Sequence, residues 1–174
     1  MRARLVEVEA YLGQDDPASH AFRGPTPRAR IMFGEAGHLY VYLSYGVHHC
    51  ANVVCGPAGT AAAVLLRAAR VEHGEPVVRA RRPGSVPAAP PLSGPGNLCR
   101  GLGIGFADNG SDICGSGRMH FEAAPAGIPI SSGPRVGISR ATDRPLRFWW
   151  TGEAAVSGAR RPHTKKGTGW WAGP

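Results

Sequence analysis

Lysine is nearly missing from this chain. Of the 20 Lys and Arg residues among 174, the lysines are Lys165 and Lys166, close to the C-terminus. The body of the chain therefore offers no amine side chain as a covalent nucleophile. Long apolar runs are missing too: no stretch approaches the ~18 to 20 apolar residues of a membrane span. Arg2 and Arg4 are not followed by the apolar core of a secretion signal, so no membrane association and a cytoplasmic location are expected. Cys50, Cys55, Cys99 and Cys114 form no CxxC pair and read as reduced thiols. A zinc site made from them with His48 or His49 is the less favoured reading, because Cys50 falls in an alternating run as a small core residue. Asp108-Asn109-Gly110-Ser111-Asp112 opens like a calcium loop but lacks the later Glu, and reads as a tight turn. With no nucleotide or redox motif and no internal repeat, neither a metal nor a cofactor is expected.

What remains is strongly basic. The net charge is +8 and the pI near 10.0, a balance suited to a polyanion or an acidic membrane surface. An arginine-rich composition without functional meaning is the plainer alternative, and a nucleic-acid partner is favoured over it. The length fits one domain with a sizeable core.

Alternation organises the N-terminal half. Val6, Val8, Ala10 and Leu12 should share one face of a strand and Glu7, Glu9 and Tyr11 the other. Three further strand-like runs follow, Leu39 to Leu43, His48 to Val54 and Ala61 to Arg67, separated by glycine-containing turns that predict an antiparallel meander. In that meander His48, Cys50, Asn52 and Val54 share a face, as do Ala61, Ala63, Leu65 and Arg67. Asn52 and Arg67 then reach the pocket of Glu9 if the register allows. Glu75 to Arg82 reads as a short basic helix, Pro83 to Gly96 as a surface loop, and Asn97 to Leu102 as a short helix opening on Pro95-Gly96. Gly127 to Arg140 and Arg144 to Thr151 read as final strands. The expected class is α+β, a single domain on a curved, mostly antiparallel β-sheet with short peripheral helices.

A carboxylate beside an aromatic ring, further tyrosines at Tyr40 and Tyr42, and Tyr45 held at a Ser-Tyr-Gly tip are the parts needed to handle a nucleobase drawn out of a duplex. Each has a bland alternative: a solvated strand Glu, a satisfied core His or Tyr, an aromatic folded back on its own sheet.

Several blocks, in order, resemble the alkyladenine (3-methyladenine, methylpurine-type) DNA glycosylase family. They are Glu9-Ala10-Tyr11, His20, the run from Tyr40 to Asn52, Leu65-Leu66-Arg67, Ser93-Gly94-Pro95-Gly96-Asn97-Leu98-Cys99 and Arg135-Val136-Gly137-Ile138. The resemblance implies a monofunctional glycosylase of base excision repair. Such an enzyme flips alkylated or deaminated purines from double-stranded DNA and hydrolyses the N-glycosidic bond with a Glu-activated water. It is expected to be a monomer, without cofactor, in a bacterial-type cytosol at the nucleoid.

By the same resemblance Glu9 is the base, Arg67 holds the target phosphate and helps place the water, and Tyr11, His20 and Tyr42 sandwich the base. Asn52 faces the purine 2-position and rejects guanine, while Tyr45 fills the gap in the stack. Arg28 and the Pro95 to Asn97 turn, through Gly96 and Asn97, are candidate phosphate contacts. The missing lysines argue against the Schiff-base glycosylases that also cut the strand.

The chain departs from the family pattern in three places. A helix and a strand usually precede Glu9-Ala10-Tyr11, so residues 1–159 are expected to form a domain lacking them, followed by a mobile basic tail with two Trp over 160–174. Ala29 stands where Asn is frequent, and Asn97 where Lys is common. A non-catalytic module that binds distorted duplex is the alternative reading, and a small-molecule hydrolase a third.

Overall fold

A run of alternating residues buries one face cheaply, and the β-branched and aromatic side chains of this chain fall in such runs. In the computed structural model, which describes residues 1–123 and 127–158, six strands form one open sheet. They are β1 (Arg2–Leu12), β2 (Leu39–Ser44), β3 (His48–Cys55), β4 (Ala62–His73), β5 (Ile130–Gly133) and β6 (Arg147–Trp150), in the spatial order β2-β3-β4-β1-β6-β5. Every pairing is antiparallel. With the short helices α1 (Glu75–Ala80) and α2 (Pro95–Leu102), the chain is an α+β domain, as expected. No helix among the described residues is long and apolar enough to cross a membrane. The expected tail at 160–174 lies outside the described residues.

The two sheet faces are used differently. Leu39, Val41, Ala51, Leu66 and Ala69 join Val78 of α1 and Leu98 and Cys99 of α2 in the main core. On the other face Tyr40, Val54 and Ala63 pack with Ala21, Ala29 and Met32 from the long β1–β2 connection. That connection covers only part of its face, and the rest stays open as a cleft. The outer edge of β2 is partly closed: Leu39 donates its N–H to Ser111 and Val41 to the Asn109 side chain, which blunts an otherwise unpaired strand.

Three expectations need correction. Val6 and Val8 do not share a face: Val6 packs with Ala68, Ala155 and Val156, whereas Val8 packs on the helix side. Register shifts between Leu5 and Glu7 and between Glu7 and Val8 mark a β-bulge, which turns side chains over and bends the strand. Leu12, placed with them by alternation, is exposed at the strand end. The third strand does not stop at Arg67 but runs on to His73, because carboxylates of β1 neutralise that cation in mid-strand. The strand expected over 127–140 is only Ile130–Gly133, since Pro134 cannot donate to a ladder and residues 135–140 leave as a loop.

Candidate active site

Register places the site. Tyr40 lies opposite Asn52, Asn52 opposite Leu65, and Leu65 opposite Glu9, so one row crosses β2, β3, β4 and β1. Above that row opens a cleft of about 670 Å³, within the usual range for small-ligand sites. Tyr11, His20, Arg28, Tyr42, Tyr45, Asn52 and Arg67 all line it. Of the sequence-derived site residues, Glu9 lies just beneath, and Gly96 and Asn97 lie outside the lining, where Pro95 represents their turn.

Glu9 is fully buried, at 0% exposure. Its Oε1 accepts the Val136 N–H at 2.7 Å and lies 3.1 Å from Arg67 Nη1, while Oε2 accepts the Tyr11 hydroxyl at 3.0 Å. Two donors thus serve one oxygen and one serves the other, which leaves Oε2 a spare acceptor position. Burial, and next the Glu9 charge, push the Tyr11 phenol well above its ordinary range, so it stays a neutral donor.

Glu7 is held by one donor more. Arg67 Nε, Arg147 Nε and the Ser157 hydroxyl donate to its Oε1 at 2.8, 2.7 and 2.9 Å, and the Ser157 N–H to Oε2 at 2.5 Å. The two carboxylates, which alternation places on one strand face, therefore differ in their partners. Glu7 is held by two arginines and Ser157, while every donor to Glu9 comes from a residue that lines the cleft.

The loop that follows β5 supplies residues that sequence reasoning missed. Arg135 makes a two-pronged pair with Asp16, donates to the Ala10 carbonyl at 2.9 Å, and sets its guanidinium carbon 4.6 Å from the centre of the Tyr11 ring. Asp16 also accepts the N–H groups of Leu12 and Ala18. Burial works to raise the Asp16 pKa, but Arg135 and these N–H groups outweigh it and hold the carboxyl below its ordinary value. Arg135 already belonged to a recognised block, but nothing in a Gln-Asp-Asp-Pro run marks Asp16 as its partner.

An aromatic wall faces Tyr11. Tyr40 and Tyr42 stack at 5.5 Å, His20 meets the edge of Tyr42 at 4.6 Å, and the His20 Nδ1 lies 2.9 Å from the Tyr40 hydroxyl. Arg28 lies over the Tyr42 ring at 5.2 Å. Asn52 is buried and donates weakly from Nδ2 to the Tyr40 carbonyl, 3.4 Å away. At the tip, Val47 N–H closes onto the Ser44 carbonyl with Tyr45 and Gly46 both at positive φ, the pairing a tight hairpin turn requires. Tyr45 is consequently 89% exposed rather than packed on its sheet.

Gly96 and Asn97 have local structural roles. A Cβ on Gly96 would come 3.0 Å from the His48 side chain, so this glycine permits α2 to approach β3. The Asn97 amide donates back to the Ser93 carbonyl at 2.7 Å. Among the described residues no group of three His, Cys, Asp or Glu side chains is placed to hold a metal ion.

The chain is similar to known proteins. The family described as Methylpurine-DNA glycosylase matches residues 1–154. A protein of Frankia casuarinae is 52% identical over 171 residues, covering 91% of this chain and 80% of the relative. One from Cutibacterium acnes is 51% identical over 164 residues, with 90% and 85% covered, and one from Mycobacterium tuberculosis is 49% identical over 173 residues, with 92% and 82% covered. All three bear the name "Putative 3-methyladenine DNA glycosylase".

Proposed function

The chain belongs to the methylpurine-DNA glycosylase family, and on that premise we propose that it flips alkylated or deaminated purines out of duplex DNA and excises them with a water activated by Glu9. As a member of that family it is a hydrolase acting on N-glycosyl bonds. The observation that carries the mechanism is the Glu9 carboxylate, oriented by Val136, Arg67 and Tyr11 and keeping one acceptor position on Oε2.

A water held by Oε2 attacks C1′ of the flipped nucleotide. The C1′–N9 electron pair moves into the purine, neutralising a methylated base that began cationic, whereas a neutral lesion base takes up a proton from solvent as it leaves, and the water proton passes to Glu9. Positive charge building on the sugar is stabilised by the same carboxylate. The product is an abasic site in an intact strand, in keeping with the absence of lysine from the described residues.

Recognition follows from the rings. Tyr11 on one side and Tyr42 with His20 on the other hold the base, and stacking of this kind yields roughly 1 to 3 kcal/mol per base. A cationic methylpurine gains further from electron-rich faces. Asn52 opposes the exocyclic amine of guanine, and Tyr45 occupies the gap left in the duplex. Arg67 reaches the target phosphate, and Arg28, Gly96 and Asn97 meet flanking phosphates. The proposed enzyme acts as a monomer, in the cytoplasm with the chromosome.

The test is incubation with a labelled duplex bearing hypoxanthine or ethenoadenine, and with methylated DNA, followed by alkali. Strand cleavage appearing only after alkali is the expected result. Tight binding without cleavage would instead identify a lesion-binding module, and cleavage before alkali would contradict the monofunctional mechanism.

A further inference from the structure

Asp16 and Arg135 are buried charges that the reaction above leaves unused. Both side chains are wholly inaccessible to solvent. A buried ion pair is a poor device for stability alone, since well-packed apolar side chains of similar volume do as well or better. This pair even leaves the Arg135 Nε–H buried with no partner among the described residues. Its contacts suggest another use. Arg135 lies against the Tyr11 ring, and the next residue, Val136, gives Glu9 its shortest hydrogen bond. Asp16 takes the N–H of Leu12, at the end of the strand that carries Glu9 and Tyr11, and of Ala18, on the way to His20.

We propose that the Asp16–Arg135 pair is a positioning unit for excision, holding Glu9 through the Val136 N–H and backing the Tyr11 ring without touching the substrate. The pair joins segments 119 residues apart, so it is the point at which the 135–140 loop is registered against β1. A planar guanidinium performs three tasks at once: two parallel bonds to Asp16, one to Ala10, and a flat face for Tyr11. A lysine keeps the charge but cannot reproduce that fork. Loss of the fork frees the loop and displaces the donor that aims Glu9.

This proposal rests on the roles given above to Glu9 and Tyr11. Its test compares Arg135→Lys, Asp16→Asn and the double variant under single-turnover conditions with enzyme in excess. The rate constant is read separately from the amplitude, and affinity is measured for a duplex holding a tetrahydrofuran abasic analogue. The excision rate constant should fall at least about 10-fold in each single variant, because sub-ångström errors in positioning are costly to rate. The double variant should be no slower than the worse single, since residues acting as a unit are not additive. Affinity for the abasic analogue should stay within about 2-fold, because that contact lies elsewhere.

A rate constant at the parent level, with loss confined to amplitude or melting temperature, would show the pair to be merely structural. Should the charge variants fail to fold, replacing Val136 by its α-hydroxy acid removes only the N–H that meets Glu9. The same fall is expected, and a parent-level rate constant overturns the proposal. Glu9→Gln run in parallel separates the two readings: excision at the parent rate there removes the proposed mechanism, whereas an inactive Glu9→Gln beside a fully active Arg135→Lys removes only the positioning role.

Discussion

Glu7 and Glu9, two positions apart on β1, hold one guanidinium between them. Arg67 donates from Nε to Glu7 at 2.8 Å and brings Nη1 to 3.1 Å from Glu9. A bulged strand makes this possible, with Glu7 turned toward Arg147 and Ser157 and Glu9 toward the floor of the cleft. One carboxylate anchors two arginines, and the other takes its donors from residues that line the cleft.

That division predicts unlike mutants. Glu7→Ala leaves the buried Arg67 with Glu9 alone and strips the partly buried Arg147 of its carboxylate, and should lower the unfolding free energy by about 3 to 5 kcal/mol in urea melts. A loss below about 0.5 kcal/mol, the level of an ordinary surface substitution, would contradict the anchoring role.

The His20 ring should stay neutral at physiological pH. Burial, and then the charge of Arg28, hold its pKa below the ordinary imidazole value. Between the folded value and about 6.5 the unfolded chain binds a proton that the folded ring refuses, so the stability contribution of this site falls as pH drops through that window. NMR titration should give a midpoint below about 6.5. Arg28→Gln should raise it part of the way, because burial, the larger cause, remains. A midpoint at or above the ordinary value, or one indifferent to Arg28, would contradict this assignment.

Tyr45 should matter most where flipping costs most. With Tyr45→Ser, affinity for a lesion in a fully paired duplex should fall by about 10-fold or more, but less for the same lesion opposite a mismatch, where unpairing is already cheap. Gel-shift titration of both duplexes checks this. Equal losses on the two would make Tyr45 a general surface contact rather than a plug.

Much of the fold was legible because alternation is a direct consequence of the pleat. Tyr40, Tyr42, Asn52, Leu65, Glu9 and Tyr11 were assigned to faces by period alone, and the observed register brings those faces together. The bulge at Val6 and Glu7 was not legible, since an extra residue in a strand leaves no mark in an apolar pattern. The extension of β4 past Arg67 was hidden for a different reason: a lone cation ends a strand unless its partners are known, and those partners lie 60 residues away. Asp16 was invisible in the same way, a buried carboxylate inside a run that reads as polar loop, paired only once Arg135 arrives. Burial of charge is decided by tertiary pairing, and local sequence does not carry it.

The most direct measurement of the central claim is single-turnover excision by Glu9→Gln. The amide preserves shape and can still accept the Val136 N–H, but it cannot take a proton from water. The rate constant should fall by at least about 100-fold, the usual scale of a lost general base, while affinity for lesion duplex and melting temperature stay close to those of the parent. Excision within about 3-fold of the parent would contradict a catalytic Glu9, and a parallel collapse of affinity, melting temperature and excision would make it a structural residue.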